Sequence, residues 1–333
     1  MKRINSKIAI DIRSTIQILT ILFFAVFMIS ACASVNIDAA RALGKVGRSV
    51  AVQAQQNIMV SDKEYFRAQD SEALLHGYNG TTQVTTYLEL LKLYDDIQQE
   101  ITKRSVVFEK LADLYDAFGD LAGLDEGAQT EKALGDLGGA IDEYAKQLKQ
   151  PAPVLGDSTA VISKIGGIVA TEIQKAKIKE ASALIRKRVD TFQQFLGNKL
   201  VRAQMTEFRE MLATDRKAAF ITLWDIGVYD PKPLLDDFGT DAGLTAQNNV
   251  AALMKSNPQL SNALKEVLDK RLTRNQFDLI EKSYDASLAA LRHLVSEHKK
   301  LEQGEPLDLT RLQTIVAELR SVAILLEKTK GNP

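Results

Sequence analysis

The chain has 333 residues, with 42 Lys and Arg against 43 Asp and Glu, 45% hydrophobic residues, 6% aromatics, three histidines and one cysteine. A single cysteine excludes an intrachain disulfide framework and a thiolate zinc site, and near-neutral charge argues against a nucleic-acid binder held by bulk electrostatics. Ordinary hydrophobic content with few aromatics and much Ala, Leu, Glu and Lys points to a folded, helix-rich chain.

At the N-terminus, Lys2, Arg3, Lys7 and Arg13 stand against one acid, Asp11, and an apolar run from Ile16 to Ile29 follows. A basic segment, a short apolar segment and small residues at its end make a secretory signal peptide; the run is shorter than the ~20 residues of a spanning helix. It ends in Ile29-Ser30-Ala31-Cys32. An aliphatic residue, two small residues and a cysteine resemble the lipobox of bacterial lipoproteins. That resemblance covers only the export signal, and Ile29 stands where Leu is commoner. It implies that Cys32 receives a diacylglyceryl group, that a peptidase cuts before it, and that the new amine is acylated. The expected cofactor list is therefore empty apart from this covalent lipid. Ala33 follows the cysteine, which by the same resemblance implies the periplasmic face of the outer membrane in a two-membrane bacterium. Removing residues 1–31 takes four bases and one acid and leaves the rest at a net charge of −4. A mildly acidic chain gives no reason to expect attraction to anionic head groups.

After residues 1–31 the reading is a short lipidated tether, 32–37, and an all-α elongated multi-helix bundle over 38–330. Sub-boundaries are expected near 151–157, around Pro151 and Pro153, and near 230–242, around Pro231 and Pro233. The first helix is expected to begin near Asn36 or Asp38 and to include Ala39, Ala40, Leu43, Val46, Val50 and Val52. Asn79-Gly80 reads as a turn before the next helix. From Thr82 to Leu121, Tyr87, Tyr94, Ile101, Phe108 and Tyr115 recur every seven residues. Leu90, Ile97, Leu111 and Phe118 form the partner row, interrupted by Arg104. This is a coiled-coil-like seam on a helix about 60 Å long.

Further helices are expected from Ser158 to Leu196 and from Lys199 to Ile226. Two C-terminal stripes follow. Tyr284, Leu288, Leu291 and Val295 form one; Leu309, Leu312, Val316, Leu319, Ala323 and Leu326 form the other, preceded by Pro306 and Asp308 as stop and cap. A weak echo relates Asp116–Leu124 to Asp236–Leu244. Both read as helix-end turns, with glycine supplying the left-handed conformation.

Few residues offer chemistry. Asp237-Phe238-Gly239 spells a kinase tripeptide without the rest of a kinase. His293 and His298 lie about 140° apart on a helix and cannot share a ligand face; Glu72 and His76 can, but a di-iron bundle needs more carboxylates and paired motifs. His298 is expected half-buried in a seam. The Ala160–Ala170 stretch, with Gly166 and Gly167, together with Gly135, Gly138 and Gly139, reads as close helix packing; a membrane-inserting hairpin is the sharper alternative. The segment Phe220–Leu244 carries Trp224, Tyr229 and Phe238 beside two prolines, and is either an interaction loop or a bundle corner.

The resulting expectation is a non-catalytic envelope lipoprotein, held to the membrane through Cys32 and presenting a structural or interaction surface to an unknown envelope protein, with no nucleic acid and no metal. The alternatives are a membrane-active, pore-forming-like protein and an enzyme with an unrecognised core site; the latter has no positive support in the sequence.

Overall fold

Asn36 opens the first helix. Its Oδ1 accepts the Ala39 N–H at 3.1 Å, while its carbonyl accepts from Ala40 at 3.0 Å, so the residue caps the N-terminus as a short polar side chain does best. The computed structural model describes residues 35–79, 84–122, 127–151, 170–199 and 258–328, together with 201–203, 206 and 222. Its six principal helices are α1 (Ile37–Asn79), α2 (Val84–Leu121), α3 (Gly127–Gln147), α4 (Ala170–Leu196), α5 (Pro258–Gln303) and α6 (Thr310–Lys328). Among the described residues there is no strand, so the all-α multi-helix bundle is shown.

Helix directions follow from contacts between them. Arg41 donates to the Ala122 carbonyl, and Arg48 pairs with Asp116, so α1 and α2 run antiparallel. Tyr144 donates to Glu100, and Thr130 to the Ala117 carbonyl, so α3 runs against α2. Gln174 reaches the carbonyls of Leu121 and Ala122, which starts α4 at the same end as α3 and makes the two parallel. Arg186 pairs with Glu302, and Tyr284 donates to the Leu196 carbonyl, so α5 returns against α4. Finally α6 packs on both α5 and α1. Asn57 donates to the Leu319 carbonyl at 3.0 Å, and Val60 packs with Val322, so α6 runs parallel to α1.

One continuous core joins all six helices. Leu43 and Val50 from α1 meet Phe108, Leu111, Leu114, Tyr115 and Phe118 from α2. Leu134, Leu137, Ile141 and Tyr144 come from α3, Ile178, Ile185, Val189 and Phe192 from α4, Leu291 and Leu294 from α5, and Leu312 and Leu319 from α6. Phe192 is the aromatic hub. Phe108 meets it edge-on, with centroids 5.0 Å apart and planes at 71°, and Tyr144 does the same at 6.2 Å and 77°. This geometry brings the positive ring edge to the negative ring face. The seam residues Ile101, Phe108 and Tyr115, with Leu111 and Phe118, are all buried, as the seven-residue spacing predicts.

Several expectations need correction. The glycines of α3 do not mediate close packing at Gly135 and Gly139: a Cβ at either would meet nothing within 4 Å, and the nearest atoms to a Cβ at Gly138 are those of the Arg188 guanidinium, at 3.2 Å and beyond. Both residues sit on the solvent face of α3. The close approach is elsewhere. A Cβ on Gly44 would lie 2.8 Å from the Gly119 Cα, and one on Gly47 would lie 2.4 Å from the Tyr115 ring. Gly119 stands in the last turn of α2, which ends at Leu121 as expected, but it does not take the left-handed conformation. Its backbone is met there by the bare Gly44, which lets α1 come close; a Cβ on Gly119 itself would lie 4.0 Å from the Gly44 Cα. Among the described residues the left-handed glycine is Gly304, at φ 71°, ending α5. There the Glu305 N–H reaches the Lys300 carbonyl and the Gly304 N–H that of Leu301, closing a Schellman turn. Lys149, at φ 53°, makes the same turn after α3 with a side chain in place of glycine. The sub-boundary near 230–242 lies outside the described residues, as does that near 151–157 except for Pro151.

Candidate functional site

Ile29, Ser30, Ala31 and Cys32, the loop residues Trp224, Tyr229 and Phe238, and the glycines Gly166 and Gly167 all lie outside the described residues. What the structure does bring together is polar side chains inside the core, and the sequence points to little of it.

The first set surrounds His298, which is fully buried and not half-buried as its place on the stripe suggests. Three helices converge on it. From α2, the Tyr115 hydroxyl lies 3.1 Å from Nε2; from α4, Ser182 Oγ lies 2.8 Å from Nδ1 and 3.3 Å from the carbonyl of His298 itself. The Phe118 ring stands 5.5 Å away. Burial, with the nearby Arg186 cation adding to it, pushes the imidazole down to about 3, so the ring is neutral at ordinary pH. A neutral imidazole has one N–H and one lone pair. One assignment satisfies every proton: Nδ1–H donates to Ser182 Oγ, the Ser182 hydroxyl donates to the His298 carbonyl, and the Tyr115 hydroxyl donates to Nε2. The opposite tautomer leaves the Tyr115 proton without one of these acceptors.

That assignment decides what the trio can do. A serine nucleophile needs its O–H aimed at a basic imidazole. Here the proton runs the other way, the imidazole is far too weak a base at neutral pH, and all three side chains are sealed from solvent. Burial also pushes the Tyr115 hydroxyl well above its ordinary value, so it stays a donor. The trio therefore fixes the register of α2, α4 and α5. A bidentate pair just outside it repeats the lock, with Arg186 Nε on Glu302 at 2.8 Å and Nη2 at 3.2 Å.

The second set gathers around Arg104, the residue that breaks the apolar row of α2. It is buried. Its guanidinium approaches Glu100 at 3.9 Å and lies 5.8 Å from the centroid of the Tyr284 ring. Tyr144 donates to Glu100 at 2.8 Å, and Tyr284 caps the Leu196 carbonyl at the end of α4. Burial opposes the Arg104 charge, but Glu100 and the two tyrosines hold it above its ordinary value. Burial pushes Tyr284 up to about 12. A cation, a carboxylate and two phenols thus join α2, α3, α4 and α5, one turn above the aromatic hub.

Two smaller features complete the polar interior. Glu297 is buried on α5, accepting from Lys300 at 2.6 Å and from the Asp308 backbone N–H at 2.7 Å, so it holds the turn that leads into α6. Arg188 lies over Gly138, and burial lowers it from its ordinary value. Among the described residues there is no group of three or more metal-ligating side chains, and no helix long and apolar enough to cross a membrane.

No protein-family model, curated protein or solved structure matches the chain.

Proposed function

We propose that the protein is an exported lipoprotein, anchored through acylated Cys32, whose helical bundle is a non-catalytic structural or interaction module of the cell envelope. The lipobox-like Ile29-Ser30-Ala31-Cys32 is the basis for the anchor. One structural observation carries the rest. Val35 is only 3% exposed and belongs to the core, and Asn36 caps α1, so the folded body begins three residues after the candidate lipid site. A body joined that closely to its anchor suits a module that stays at a membrane and offers its helical flanks to a partner. The buried polar groups fit the same reading, since each serves to hold helices in register.

The test is the mass of the N-terminal tryptic peptide, residues 32–41, from membrane-extracted protein. A peptide that begins at Cys32 and carries diacylglyceryl and N-acyl mass is the expected result. A peptide that extends upstream of Cys32, or one with a free thiol, refutes the anchor. Crosslinking on intact cells then asks for a protein partner; a chain that crosslinks to no envelope protein refutes the interaction role.

A further inference from the structure

We infer that one particular end of the bundle faces the lipid head groups, held there by covalent length and not by attraction; the inference rests on the anchoring reading above. Three Cα steps join Cys32 to Val35, which at 3.8 Å each allow about 11 Å at full stretch. From Val35 onward the chain has no slack. Val35 is in the core, Asn36 caps α1, and Arg41 in the first turn donates to the Ala122 carbonyl at the end of α2 at 3.1 Å.

The topology gathers specific surfaces at that end. The C-terminus of α2 is there through the Arg41 contact, and the first turns of α4 through Gln174, which reaches Leu121 and Ala122. The 304–309 turn is there too: α5 runs down along α4 past His298 and Glu302 before the turn begins, and Glu297 holds Asp308 against the bundle. The other end of α4, at Leu196, is about 40 Å away along a 27-residue helix.

The chemistry of the near end says how it meets the membrane. Among the described residues its exposed side chains include the carboxylates Asp38, Glu172, Glu305 and Asp308 against the cation Arg311, beside Gln303 and Pro306. Carboxylates do not enter hydrocarbon, and they are repelled by anionic head groups. The described side chains of the near end therefore meet the head groups without insertion, and the orientation survives high salt and zwitterionic lipid. A partner protein consequently meets the flanks or the far end.

The lone cysteine makes the test clean, because once Cys32 is acylated a second cysteine is the one free thiol. Glu305→Cys and Lys199→Cys, both exposed positions, are labelled separately with an environment-sensitive dye in the full lipidated protein. Each is reconstituted into phosphatidylcholine vesicles that carry a nitroxide on the head group. The expected result is loss of most fluorescence at position 305 and none at 199, unchanged in 1 M salt. Equal quenching at both positions means that the bundle lies flat, and quenching at neither means that it stands off; either overturns the orientation while the protein still floats with vesicles. Protein that fails to float and lacks lipid mass on Cys32 overturns the anchor, and this inference with it.

Discussion

Lowering the pH should destabilise this bundle through one side chain. His298 ordinarily titrates near 6.5, and in the core it is pushed down to about 3. Because the folded value is depressed, the unfolded chain takes up a proton that the folded chain refuses. The associated stability is complete above about pH 6.5 and is lost as the pH falls toward 3. Each pH unit in that window costs roughly 1.4 kcal/mol, so moving from pH 7 to 4.5 removes about 3 kcal/mol through this residue alone. That is a large share of the ~5–15 kcal/mol by which folded domains are stable. The assay is urea unfolding followed by helical circular dichroism at half-unit pH steps, for the native protein and for His298→Gln. Glu143 and His293, whose values are also depressed, are common to both proteins and cancel in the difference. The native protein should lose stability relative to the variant by about 1.4 kcal/mol per unit below pH 6. Two curves that stay parallel between pH 6.5 and 4.5 would show that His298 is protonated without cost, and would refute the sealed neutral trio.

Three further outcomes follow from the packing. Gly47→Ala puts a methyl into the Tyr115 ring and should cost about 1–3 kcal/mol, while Gly119→Ala, whose Cβ would be 4.0 Å from the nearest atom, should be neutral or better; thermal melts compare them, and equal effects would contradict the close crossing of α1 and α2. Gly135→Ala and Gly139→Ala, on the open face of α3, should each stabilise by about 0.5–1 kcal/mol through helix propensity alone, and a lowered melting temperature would mean that something covers that face. Phe192→Ala removes the ring that both Phe108 and Tyr144 meet edge-on, and should cost about 3–5 kcal/mol in denaturant midpoint; a change below 1 kcal/mol would mean that the hub repacks freely.

The long helices were legible because they repeat a pattern. The α2 seam recurs every seven residues, and the described helix, Val84–Leu121, lies within the expected span and ends with it at Leu121. Asn36 and the Pro306–Asp308 stop are local signals, and each stands at a helix boundary. The polar interior was far less legible. Arg104 looked like an interruption of the seam because its partners Tyr144 and Tyr284 come from helices 40 and 180 residues away. His298 looked half-buried because nothing in its own stripe announces Tyr115 or Ser182. The glycines misled in the opposite direction. A cluster in α3 drew attention, while the working positions are spread along α1 as Ala40, Gly44, Gly47, Ala51 and Ala54. Steps of four and three residues put these small side chains on one face, and all are buried. That stripe was readable, and it is the signal that would have located the crossing with α2. Of the candidate site, the structure describes only the neighbourhood: Val35, inside the stretch 32–37 expected as a tether, is already buried in the core.

The parallel contact of α1 with α6 has a consequence for how the chain comes to exist. Asn57 donates to the carbonyl of Leu319, 262 positions later. Strips such as Val60 and the α1 face beneath Leu319 have no cover until nearly the whole polypeptide has emerged. Contacts of such separation form late, after loop closure over most of the chain. The helices α1 to α3 are hairpin neighbours and can assemble as they appear, but the bundle cannot close early. If the chain is threaded unfolded across a membrane from its N-terminus, that delay is useful: the first helix stays open until the last has cleared the pore, and completion of the fold coincides with release.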